Sequence, residues 1–368
     1  MRTIRRQLSN IRLSYPLERE VPLSRVLFID IETTGFAAGS SVLYLIGCAY
    51  CEYGQWNTIQ WLADSPEEEK NVIAALFDFA MYQYTHLIHF NGNNFDLPFI
   101  IQKCRQYGLP WHFSDFTGID LYRRTAPFRE FLRLPNCKQK TLEQFLDLYR
   151  DDPYDGGQLI DIYHDYVNNH ADTALNAIIR HNADDLAGMF HILPVLAYGN
   201  IFSAQTKVKK VQANRYQEMN GTKRQELFMK LSFPAPLPKE IFCSAEGCYF
   251  SGNGGTGTLR IPLYEEEMKY FYSNYPDYYY LPLEDNAIHK SIAKYADRQN
   301  RTQAKAYNCY TRKYSTYLPQ WDIVFEPFFK RDYKSPDLFF EVTDSLKKDR
   351  AVFQAYAQHV LKMMAVGK

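Results

Sequence analysis

The chain has 368 residues, a formal net charge of zero and 46% apolar residues, enough for one large globular domain or two ordinary ones. No run is long and apolar enough to span a bilayer, and the basic stretch Met1 to Arg12 leads into no apolar secretory core, so a cytoplasmic protein with no membrane partner is expected. Seven cysteines without a second pair at finger spacing fit free thiols rather than a zinc finger or a disulfide framework. Residues 1–200 carry 17 Lys and Arg against 24 Asp and Glu, and the remainder carries 25 against 18. A metal-binding front half and a polyanion-binding back half fit that asymmetry, as do two differently solvated surfaces.

Residues 1–24 are polar and basic and read as an extended arm. Val26 to Ile31 reads as a buried strand that ends in the turn Thr33-Thr-Gly35. Ser41 to Tyr50 and Trp56 to Leu62 follow as two further strands. The connections are too short for crossover helices, so the three strands form an antiparallel meander. Ser65-Pro-Glu-Glu-Glu opens a helix that runs to about Tyr84. A short strand over Thr85 to Phe90, a turn at Asn91-Gly-Asn-Asn and a helix from Asp96 to about Tyr107 come next. A strand is expected within Leu109 to Thr117, then helices to Leu132, over Thr141 to Tyr149, over Gly157 to Val167 and from Asp172 to Leu196, the last ended or kinked by Pro194. Strands first and alternating helices afterwards predict a mixed α/β sheet, the order of ribonuclease-H-like folds.

The expected division is a first domain over 24–198, a connector over 199–230 and a C-terminal α+β module over 231–368 that ends in a helix from Ser345 to Met364. The stretches Phe233-Pro-Ala-Pro-Leu-Pro and Ser251-Gly-Asn-Gly-Gly-Thr-Gly read as turns between short strands. The second lacks the Lys-Ser/Thr of a phosphate-binding P-loop and reads as a hairpin loop.

Asp30 and Glu32 stand two apart on a strand, so both project from one face. Adjacent carboxylates repel and need a cation unless water solvates them. Asp96 opens a helix after a strand and a turn, where it is either a ligand or a plain helix cap. His181 and Asp185 are four apart on a helix and share a face, which is also how an exposed polar face reads. Each signal alone is ambiguous. As a set, four carboxylates on separate elements suit two Mg²⁺ or Mn²⁺ ions, which activate a water and stabilise the leaving oxygen of a phosphodiester. A set with one histidine suits zinc poorly.

Asp30-x-Glu32, the Asn-x-x-x-Phe-Asp ending at Asp96, and His181-Asn-x-x-Asp185 resemble the three exonuclease motifs of the DEDD, or DnaQ-like, superfamily. The closer resemblance is to its YprB-like branch of ribonuclease-H-like proteins. Asp120-Leu-Tyr-Arg, Leu134-Pro-Asn-Cys-Lys-Gln-Lys-Thr-Leu-Glu and Gly156-Gly-Gln-Leu-Ile add to it, over residues 24–198. The resemblance implies Asp30, Glu32, Asp96 and Asp185 as metal ligands. It implies that the residue four before the last Asp orients or deprotonates the attacking water. Many relatives carry Tyr there and this chain carries His181, which suits proton transfer near neutral pH. Where the superfamily uses His it usually stands one residue further from the Asp; that longer spacing from His181 falls on Leu186, which binds no metal.

Two basic stretches fit nucleic-acid contacts. One includes Arg123, Arg124, Lys138 and Lys140 with Tyr122, Phe128 and Phe131 among them, and the other includes Arg312 and Lys313 among tyrosines. The expected activity is metal-dependent 3′→5′ exonucleolytic hydrolysis of single-stranded DNA or RNA, the polarity coming from the resemblance alone. An inactive nucleic-acid-binding scaffold and a structure-specific endonuclease stay open as alternatives.

Overall fold

Arg2–Gln7 (β1), Val26–Thr33 (β2), Leu43–Glu52 (β3), Gln55–Leu62 (β4), His86–His89 (β5) and Thr117–Asp120 (β6) form a six-stranded sheet in the order β1-β4-β3-β2-β5-β6. The computed structural model describes all residues except 9, 10, 12, 151–153, 155, 218, 220, 294–297, 367 and 368. Strands β2, β3 and β4 pair antiparallel, while β5 and β6 join parallel, which is the mixed sheet of a ribonuclease-H-like fold. Strand β3 is buried along its length except at Glu52, because it lies inside the sheet with both faces covered. Around this sheet lie the helices Glu69–Ala80 (α1), Asp96–Gln106 (α2), Leu121–Thr125 (α3), Gln139–Phe145 (α4), Gly156–Asn169 (α5), Asp172–Ile192 (α6) and Leu196–Ile201 (α7). Helix α6 gives way to a 3-10 turn, Leu193–Val195, at Pro194, where a ring without an N–H cannot continue the ladder.

The chain divides into two compact units, residues 1–200 with 235–239 and residues 201–234 with 240–368. The second unit is built on Lys207–Gln217 (β7), Lys223–Ala245 (β8), Cys248–Phe271 (β9), Tyr278–Leu281 (β10), Asn286–His289 (β11), Lys290–Ala293 (α8), Thr302–Gln303 (β12), Tyr310–Gln320 (β13), Phe328–Phe329 (β14), Leu338–Glu341 (β15), Asp344–Lys347 (α9) and Arg350–Val366 (α10). One sheet runs β14-β15-β13-β9-β8-β7 and a smaller one β11-β10-β12. Tyr356, Val360 and Leu361 of α10 are fully buried, and Tyr356 donates from its hydroxyl to the Pro319 carbonyl at 2.8 Å.

Four expectations are corrected. The N-terminal arm contributes β1, paired with β4 from Arg2–Leu62 to Gln7–Asn57, its charged residues being typical of an edge strand. The strand expected within 109–117 lies at Thr117–Asp120, because Trp111 and Phe113 stack on Phe77 of α1 rather than pairing. The connector expected over 199–230 holds β7 and the start of β8; its lysines mark an edge strand, not a linker. The proline and glycine stretches lie inside β8 and β9, and the hairpin turns instead at Glu246-Gly247, where both residues have positive φ.

Gly47 of β3 sits opposite Asp30 of β2 on one side and Gln60 of β4 on the other. A Cβ at Gly47 would lie 1.8 Å from Asn182 Oδ1 of α6. Gly47→Ala should therefore expel the Asn182 amide, break its buried hydrogen bonds and destabilise the first unit by about 2 kcal/mol, read by urea denaturation; an unchanged midpoint and slope would contradict this packing.

Candidate metal centre

The site begins with a row of three residues across the sheet: Asp30, Gly47 and Gln60. Asn182 occupies the space that Gly47 leaves. Its Oδ1 accepts from Gln60 Nε2 at 2.8 Å, which fixes the amide so that Nδ2 donates to Asp30 Oδ2 at 2.7 Å. Gln60 Nε2 also donates to the Ile179 carbonyl at 2.9 Å. Further down the same face of β2, Phe28 packs on Phe190 of α6 with centroids 4.1 Å apart. The helix is thus set against the strand before any ligand enters.

Asp96 arrives by another route. Asp120, at the end of β6, accepts from the backbone N–H of Asn91 at 3.0 Å, of Asn93 at 3.3 Å and of Arg123 at 3.2 Å. Those bonds tie the β5–α2 turn, where Asn91 has φ +61°, to the start of α3. Helix α2 then opens at Asp96, whose carboxylate takes backbone hydrogen bonds from itself and from Ile31 of β2. Asp96 is joined to the strand between Asp30 and Glu32.

Helix α6 supplies the remainder. Glu32, His181 and Asp185 bring ligand atoms within 4.8 Å of one another, the one such group among the described residues. His181 Nε2 is 3.2 Å from Asp185 Oδ2 and 3.8 Å from Glu32 Oε1. Asp185 Oδ1 accepts from Arg150 Nη1 at 2.7 Å, and Arg150 Nε donates to the buried Glu143 at 2.7 Å. Asp30, Asp96 and Asp185 line one cleft of about 540 Å³ together with Phe36, Phe95 and Lys138. All five expected catalytic positions therefore gather at one place.

Electrostatics show what the cleft lacks. Burial holds the Asp30 carboxyl well above its ordinary range, and the charges of Asp185, Glu32 and Asp96 push it further, against the Asn182 hydrogen bond. Burial raises Asp96 to about 7, against its backbone hydrogen bonds. Asp185 also feels burial, yet lies below its ordinary value because the His181 hydrogen bond and charge and the Arg150 guanidinium outweigh it. Among the described residues neither Asp30 nor Asp96 forms an ion pair with a basic side chain. Buried carboxylates without a counter-charge, all offering oxygen, fit a hard divalent cation.

The basic residues named from the sequence do not gather in the same way. Lys138 lines the cleft, and Arg123 donates to Asn94 at 3.4 Å. Arg124 pairs with Glu20 at 3.3 Å, and Lys140 is exposed on α4. Arg312 and Lys313 belong to the second unit, where Arg312 pairs with Glu267 at 3.3 Å and Lys313 with Glu341 at 2.7 Å. Gln60 and Arg150 escaped the reading of the sequence, as did the role of Asn182 and that of Glu143, which stood only as the end of the Leu134–Glu143 motif. The only sequence signal for Asn182 is its place beside His181 in the third motif.

Residues 27–197 match the family model described as the RNase_H superfamily, a stretch that contains β2 to β6 and α1 to α6. With the mixed sheet, this gives the first unit a ribonuclease-H-like fold. Solved structures of E. coli exonuclease I are similar to part of the chain. The zinc-bound complex with single-stranded DNA is 12% identical with a TM-score of 0.29, over 57% of this chain and 55% of that one. The complex with a dA16 oligonucleotide gives 12%, 0.29, 57% and 55%, and a product-bound exonuclease I gives 13%, 0.29, 56% and 58%. The chain thus spans a little over half the length of these proteins. No curated protein matches it. Among the described residues no helix is long and apolar enough to cross a membrane.

The raised value of Asp96 sets a pH dependence. Its protonated form belongs to the folded state, so its contribution is complete below the unfolded value of 3.8 and is lost as pH climbs through about 7. In EDTA, the thermal midpoint of the wild type relative to Asp96→Asn should fall between about pH 4 and pH 8. Mn²⁺ should restore the wild type more at pH 8 than at pH 5, since protons compete with the cation. A pH-independent difference in EDTA would show that Asp96 titrates as an ordinary carboxylate.

Proposed function

We propose that the chain is a metal-dependent nuclease that hydrolyses phosphodiester bonds of single-stranded nucleic acid, from the 3′ end by the family resemblance. The observation that carries this reading is that Asp30, Asp96 and Asp185 line one cleft of a ribonuclease-H-like sheet, with Glu32 and His181 gathered beside Asp185. Asp30, Glu32, Asp96 and Asp185 would hold two divalent ions, Mg²⁺ or Mn²⁺. Bound there, such ions would supply Lewis acidity at the phosphoryl oxygens and acidify a water. His181 Nε2 faces Asp185 Oδ2 and Glu32 Oε1, so the ring would orient the attacking water, in the role that the resemblance gives this position. Asn182 keeps Asp30 from rotating out of the cleft. Lys138, at the rim, supplies positive charge for the phosphate backbone.

Phe36 points to a strand of unpaired bases. It is 92% exposed at the mouth of the cleft and meets Phe95 edge-on at 6.0 Å. Tyr122 lines the same cleft and packs edge-on against Phe90 at 6.2 Å. An exposed ring such as Phe36, with the half-buried Tyr122 beside it, would serve to stack bases.

The deciding experiment is a time course on 5′-labelled linear and on circular single-stranded DNA and RNA with Mn²⁺, Mg²⁺ or EDTA. A metal-dependent ladder on linear strands, lost in Asp30→Asn and absent on circles, is expected. Cleavage of circles would make it an endonuclease, and binding without cleavage would make it a scaffold. Phe36→Ala should raise KM for the linear strand by about tenfold with little change in kcat; an unaltered KM would remove Phe36 from the substrate path.

A further inference from the structure

Arg150 is a side chain that the proposed hydrolysis leaves without a task. Its guanidinium is mostly buried, with 15% of the side chain exposed. Nε donates to Glu143 Oε2 and Nη1 to Asp185 Oδ1, each at 2.7 Å. Glu143 is itself buried and is held by Gln139, whose Nε2 donates to Glu143 Oε1 at 3.3 Å and to the Asp185 carbonyl at 2.9 Å. This assembly lies against α6 at Gly188, where a Cβ would come within 2.2 Å of Glu143 Oε1 and 2.5 Å of Gln139 Nε2. The guanidinium therefore grips one oxygen of Asp185 from a fixed support. The other oxygen, Oδ2, faces His181 Nε2 at 3.2 Å, and Asp185 belongs with Glu32 and His181 to the ligand cluster.

Resting on the metal-centre reading above, we propose that Arg150 is a positioning residue that divides the Asp185 carboxylate: it claims Oδ1, so that a divalent cation can take Asp185 only through Oδ2 on the His181 side, and by its own charge it keeps that cation weakly held. A carboxylate with both oxygens unclaimed is free to rotate or chelate, whereas one gripped at Oδ1 presents a single oxygen in a fixed direction. A cation on one oxygen also repels a divalent cation on the other. Screened by water to the full, that repulsion is still on the order of tenfold in affinity. A plain structural ion pair between α4 and α6 predicts the opposite, since loosening Asp185 would weaken metal binding.

The test is calorimetric titration of Mn²⁺ into the metal-free full chain, for the wild type, Arg150→Gln, Arg150→Met, Arg150→Lys and Asp185→Asn. Arg150→Gln should bind Mn²⁺ about tenfold more tightly while hydrolysing strands more slowly at saturating metal, and Arg150→Lys should keep an affinity near the wild type. Arg150→Met removes the same charge and carries the same expectation if the Gln variant does not fold. Equal or weaker binding in the neutral variants overturns the inference and leaves the metal centre standing, as does equally tightened binding in Arg150→Lys. Failure of the wild type to bind Mn²⁺ overturns both.

Discussion

Like charges held together inside a fold are the constraint on which this structure depends. Asp30, Glu32, Asp96 and Asp185 come from one strand and two helices, and each would sit more comfortably in water. Burial pushes Asp30 and Asp96 toward the protonated form, helped at Asp30 by the charges of the other three, while His181 and Arg150 keep Asp185 charged. Backbone and packing must hold the set without help from the ligands' own attraction. Every polar contact around the site, from the Asp120 turn to the Gln60–Asn182 pair, answers that requirement.

The devices differ by element. On β2 the pleat alone places Asp30 and Glu32 on one face. Asp96 depends on a turn tied by a distant carboxylate and on the backbone hydrogen bond it takes from Ile31 of β2. Asp185 depends on a helix seated in a notch of the sheet and on a guanidinium delivered from beyond α4. Asp96 and His181 thus stand on supports that do not share a backbone segment.

What the sequence disclosed follows from range. Period-two alternation gave away Asp30 and Glu32, a four-residue helical step gave away His181 and Asp185, and a strand-turn-helix order gave away Asp96. These patterns are local. Gln60 meets Asn182 across 122 residues and Arg150 meets Asp185 across 35, and no local periodicity registers such contacts. The edge strands β1 and β7 were missed because lysine and arginine, which blunt an edge against further pairing, also compose linkers. Strand β8 was misread through its prolines. Phe233, Ala235 and Leu237 are buried in strict alternation with Pro234, Pro236 and Pro238, so a strand pattern was present beneath the turn formers.

Asn182, Asp185 and Gly188 recur every three residues along α6 and form one ridge of the helix. One end of the ridge enters the sheet through the gap at Gly47, and the other lies against Glu143 and Gln139 through its own missing side chain. The ligand stands between the two. Adding or deleting a single residue between 182 and 188 would turn one end by about 100° relative to the other, so the ridge works as a gauge that fixes length as well as direction.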